Sequence, residues 1–73
     1  MIALAFHRDL YPGETIDAVA KLFEGHARIA LEESPSHWIV RVTAEEPEFE
    51  RTVAGELGNY ALGVAVRERG KAA

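Results

Sequence analysis

Three histidines, His7, His26 and His37, are the residues of this 73-residue chain best suited to metal ligation or general-base work. Cysteine is absent, which removes thiolate zinc sites, iron–sulfur ligation, disulfides and thiol nucleophiles. His7 and His37 fall at strand ends that a split topology brings to one end of a sheet, with Glu33 nearby; His26 falls at the opposite end. Two imidazoles and a carboxylate could hold a cation, although no recognised ligand spacing is present. The carboxylates cluster at Glu45, Glu46, Glu48 and Glu50, where acid–base catalysis would require a pair with divergent pKa values in a dry site. A solvated helix start explains them more simply. Ser34 and Ser36 flank Pro35 in a turn, and there is no Gly-x-Ser-x-Gly elbow. Gly55, Gly58 and Gly63 do not bridge a strand to a helix and so form no phosphate loop.

The elements that would position these groups follow from hydrophobic period. Ile2, Leu4 and Phe6 alternate with Ala3, Ala5 and His7, which predicts a first strand over 1–8. Pro12 and Gly13 break the pattern, and Ile16, Val19, Ala20, Leu22 and Phe23 then form a helical stripe, with Glu14 and Asp17 near its positive end and Gly25 expected as a left-handed cap. Ala27, Ile29 and Leu31 alternate in a second strand; Trp38, Val40 and Val42 alternate in a third. The short Ser34–Ser36 connection predicts an antiparallel hairpin.

The longest stretch, Phe49 to Arg69, reads as one amphipathic helix with Phe49, Val53, Leu57, Tyr60, Ala61 and Val64 on its apolar face. Thr43 and Glu46 have capping-box spacing, and Pro47 suits a first turn. Arg67, Arg69 and Lys71 complement the C-terminal end, Gly70 is expected to stop the helix, and 71–73 to fray. Each internal glycine costs about 1 kcal/mol relative to Ala. Together with Ala54, Ala61 and Ala65 they make strips along which a second backbone could approach, with packing inside the chain the simpler expectation.

The order strand, helix, strand, strand, helix predicts an α+β two-layer sandwich forming a single domain over 1–73, with both helices on one face of a three-stranded sheet. It looks like a truncated ferredoxin-like motif lacking the final strand. Strand orders 2-3-1 and 1-2-3 both fit the pattern. The sheet keeps open edges and an uncovered face carrying Ala3, Ala5, Ala30 and Ile39. Trp38 is expected in the core, because Val40 and Val42 share its face.

Composition narrows the function. With 48% hydrophobic and 27% charged residues the chain is a foldable globular sequence. At 73 residues there is room for a thin core but not for a deep catalytic pocket with its own supporting shell, so function is expected at a surface or in a site shared with a partner. The net charge of −4, with eight basic residues scattered among twelve acidic ones, argues against nucleic acid. No apolar run approaches the roughly 20 residues of a membrane span, and a cytoplasmic location is expected.

Phe6, Leu10-Tyr11, the helix from Ile16 to Phe23, the hairpin, and Glu56-Leu57-Gly58-Asn59-Tyr60-Ala61-Leu62 with Arg67 beyond it together resemble the small HxsD-type proteins of His-Xaa-Ser peptide-modification systems. That family carries an acidic-amide pair where this chain has Gly63 and Val64. The resemblance implies a non-enzymatic accessory role without cofactors, beside a radical-SAM maturase or its substrate peptide. Partner binding is expected at Gly58, Asn59 and Arg67 on the last helix, within and beyond the segment that carries the resemblance, and at Ala3, Ala5 and Ile39 on the uncovered sheet face. The alternatives are a structural homodimer and a metal-binding domain built on His7 and His37.

Overall fold

The computed structural model describes residues 1–72; Ala73, the last residue of the expected frayed end, lies outside them. Five elements follow in the expected order: β1 (Ile2–His7), α1 (Gly13–Phe23), β2 (Arg28–Glu33), β3 (His37–Thr43) and α2 (Pro47–Ala72). The sheet order is β1-β3-β2, and β3 is antiparallel to both neighbours. This is the split order, and it excludes the 1-2-3 alternative. Register sets Ile2 against Val42, Leu4 against Val40 and Phe6 against Trp38. On the other side it sets Ile29 against Val42 and Leu31 against Val40. Because side chains alternate across a strand, all of these project toward one face. Both helices cover that face, α1 over β2 and β3 and α2 over β1 and β3, giving the two-layer α+β sandwich.

The core between the layers comprises Phe6, Ile16, Val19, Val40, Val42, Val53, Ala54, Leu57 and Ala61. Ile16, Val19, Val40, Val42 and Leu57 are essentially inaccessible, each contributing about 1.5–3 kcal/mol of transfer free energy. Trp38 packs against this cluster as expected, and its indole Nε1 donates to the Tyr11 carbonyl at 2.7 Å. The ring lies so close to the start of α1 that a Cβ on Gly13 would meet Trp38 Cζ2 at 2.8 Å. Gly13 is thus a packing requirement in addition to punctuation.

Four local expectations are corrected. No described glycine has positive φ, so Gly25 is not a left-handed cap; α1 closes in right-handed turns in which Glu24 N donates to Lys21 O and His26 N to Phe23 O. Gly70 does not stop α2, which continues to Ala72. The inward face of α2 is rotated from the expected stripe: Glu50, Val53, Ala54, Leu57, Ala61 and Ala65 are buried, whereas Phe49 and Tyr60 are 46% and 45% exposed. Small alanines turn inward because the helix lies close on β1 and β3, and the bulky rings take the flanks.

The fourth correction concerns the acidic run, of which Glu50 is not solvated. It is buried, its Oε1 lies 2.8 Å from the Met1 ammonium, and its Oε2 accepts the Ala44 N–H at 3.0 Å. The carboxylate reaching back over the start of α2 is therefore that of Glu50 and not Glu46. Hydrogen bonding to the N-terminal ammonium, then to the Ala44 amide, holds its carboxyl below the ordinary range.

Candidate functional site

The face of the sheet turned away from the helices is where the expected sheet residues meet. Ala5 pairs directly with Ile39 and Ala3 with Arg41 across the β1–β3 ladder, while Ala30 pairs with Arg41 and Glu32 with Ile39 across β2–β3. Ala3, Ala5 and Ala30 are exposed, and Ile39 is half-buried at their centre. The face is not uniformly apolar, since the Arg41 guanidinium forms an ion pair with Glu32 across it. The Arg41 stem is half-buried over the alanines while its charge is held at one side, a placement that suits an amphipathic side chain on an apolar surface.

His7 and His37 end this face. They are register partners, with ring centroids 5.0 Å apart and planes inclined by 72°. Each Nδ1 is already occupied, His7 accepting the Asp9 N–H at 3.1 Å and His37 lying 2.7 Å from Ser36 Oγ. Glu33 does not join them. It pairs with Trp38, which places it on the helix-covered face, and its carboxylate accepts from Arg8 Nη1 at 3.2 Å. Arg8 also donates to the Ser34 carbonyl at 2.9 Å and stands 4.2 Å from the Trp38 ring centroid, so its role is to fasten the ends of β1 and β2 over the indole. His26 lies at the opposite end beside Ala27, Ala44 and Phe49. Among the described residues no group of three or more His, Cys, Asp or Glu side chains could hold a metal ion.

The expected helix residues do not form one patch. Gly58 and Arg67 are nine residues apart, which on a helix with 3.6 residues per turn places them on opposite sides, with Asn59 between. Asn59 and Arg67 are exposed and Gly58 is half-buried. A Cβ on Gly55, Gly58 or Gly63 would meet nothing within 4 Å, so the glycines are not explained by close approach within the chain. The flank of α2 facing α1 carries Tyr60, in edge contact with Phe23 at 6.2 Å, and Val64. Between the helices runs a shallow groove of about 380 Å³, closed at one end where Thr15 Oγ1 donates to Glu68 Oε1 at 2.9 Å.

The edges of the sheet carry a feature that side-chain pattern alone missed. Arg8 N donates to Ser36 O, so the even-numbered residues of β1 direct their backbone bonds to β3. The amides and carbonyls of Ala3 and Ala5 therefore point outward, past the sheet. The His7 carbonyl also points away from β3 but is taken by Leu10 N and Tyr11 N, each at 3.0 Å. The β1 edge bears no charged side chain between Ile2 and His7, whereas the β2 edge carries Arg28, Glu32 and Glu33. Charges on an edge discourage pairing with another chain, and β1 lacks them.

No family model, curated protein or solved structure matches the chain significantly. No helix among the described residues is long and apolar enough to cross a membrane.

Proposed function

We propose that this chain is a non-enzymatic interaction module, accessory to peptide maturation in the manner of the HxsD-type proteins it resembles, and that its uncovered sheet face receives the partner. The observation that carries this reading is the convergence of Ala3, Ala5 and Ile39 on a face that no element among the described residues covers, bordered by the Arg41–Glu32 ion pair. Small side chains let a partner backbone approach the sheet closely, Ile39 supplies a central apolar contact, and the ion pair offers both signs of charge at the border. A His-Xaa-Ser repeat peptide, or the maturase that processes it, is the partner in this proposal. The metal-binding alternative retains only the His7–His37 pair.

The test uses the full chain with an immobilised His-Xaa-Ser repeat peptide, and separately with a co-expressed radical-SAM maturase. Retention of either, lost in Ile39→Glu, is expected. Retention of neither overturns the proposal, as does retention that Ile39→Glu leaves unchanged.

A further inference from the structure

We infer that the outer edge of β1 pairs antiparallel with β1 of a second copy, joining two sheets into one of six strands. The backbone determines how. On this edge Ala3 and Ala5 each present both an outward amide and an outward carbonyl, whereas His7 presents its amide alone, its carbonyl being consumed by the following turn. Hydrogen-bonded pairs in an antiparallel ladder join residues whose backbone groups point at each other. A two-fold axis through Leu4 sets Ala3 of each copy opposite Ala5 of the other and completes four backbone hydrogen bonds. It also keeps Ile2, Leu4 and Phe6 of both copies on the helix side, so neither apolar face is turned to water.

The helices fit the same axis. α2 lies over β1 and β3, so pairing the β1 edges places the two α2 axes about two strand spacings apart, roughly 10 Å, within the range of packed helices. Glu50 is anchored to the Met1 ammonium at one end of β1. Leu4 lies about 10 Å further along the strand, equivalent to six or seven helical residues, which brings the crossing point near Gly58. The flank of α2 turned away from α1 carries Gly58 with Leu62 and Val66, and these two are 49% and 56% exposed. A crossing at Gly58 lets the helices meet and covers both apolar side chains.

Charge selects the second copy over other occupants. α2 is acidic at its start, with Glu45 and Glu46 before it and Glu48 in its first turn; the flank that carries Gly58 also carries Arg51 and, near the helix end, Arg69, whereas Arg67 lies on the opposite side. Antiparallel α2 helices set Glu45, Glu46 and Glu48 of each toward Arg69 of the other and oppose their macrodipoles. An extended peptide on the same edge would satisfy the amides but leave Leu62 and Val66 in water.

Light scattering and sedimentation on the purified chain alone test this. The expected mass is twice the 8.0 kDa of one chain, falling to 8.0 kDa on dilution. Gly58→Leu and Ala5→Pro each raise the dimer dissociation constant at least tenfold. Gly58→Leu adds bulk where the monomer has open space, so its circular dichroism stays helical, and it decides the matter if Ala5→Pro fails to fold. A mass of 8.0 kDa at millimolar concentration, or a dimer that withstands Gly58→Leu, overturns the inference. Peptide retention by a monomeric chain would overturn it while leaving the proposed module intact.

Discussion

Glu50 shows how one side chain can read as solvated and yet hold three parts of the chain together. Its carboxylate joins the Met1 ammonium, the Ala44 amide at the end of the hairpin and the first turn of α2. Sequence places it in an acidic run at a helix start, and nothing in residue type separates it from Glu48; only the position of the Met1 amine, set by sheet register, does so. Its carboxyl pKa is lowered in the folded chain by those two hydrogen bonds. The stabilisation is thus complete above the unfolded carboxylate value, near 4.3, and is lost as pH falls through the lowered folded value. Urea unfolding followed from pH 6 down to pH 2 should show this acid-side loss, and Glu50→Gln should lower stability at pH 6 while flattening that part of the profile. An unchanged acid limb in Glu50→Gln would contradict the assignment.

At the scale of elements, hydrophobic period was sufficient for all three strands, both helices and the hairpin, because each element turns its apolar residues toward one side, even in β2, where Ile29 is half-buried and Leu31 stays 40% exposed. It failed where backbone geometry or close packing decides. Gly25 lies beside a helix end as a cap would, but the chain leaves α1 through right-handed turns that need no positive φ. Phe49 and Tyr60 fall on the expected stripe by spacing but are half exposed, whereas Ala54 and Ala65, which lay off it, are buried beside the expected Val53, Leu57 and Ala61. The glycines divide in the same way. Gly13→Ala should cost about 1–3 kcal/mol, since its methyl would press on the Trp38 ring, itself held by the Tyr11 carbonyl. Gly63→Ala should instead stabilise the chain by about 0.5–1 kcal/mol, since its methyl meets nothing and helix propensity improves. Thermal unfolding of the two variants reads both signs, and the same sign for both would contradict the packing described.

At the scale of the molecule, the described residues leave one sheet face and two edges without cover, and the edges are unlike. The β2 edge is guarded by Arg28, Glu32 and Glu33; the β1 edge is bare. The uncovered face was legible in the alternation of Ala3, Ala5 and Ile39 with larger apolar residues. The direction of the β1 amides was not, because it depends on which residues of β3 they oppose. The helix residues Gly58, Asn59 and Arg67 share a segment but form no single patch, since Gly58 and Arg67 lie on opposite sides of α2. An edge pairing would widen the uncovered face into one surface shared by two copies.

Amide hydrogen exchange at Ala3 and Ala5 in the chain alone tests the pairing surface most directly. Both amides should be protected at millimolar concentration, as slowly exchanging as those of Leu4 and Phe6, and should lose that protection on dilution. Fast exchange of Ala3 and Ala5 at every concentration, beside protected Leu4 and Phe6, would show that the β1 edge stays open and would contradict pairing through it.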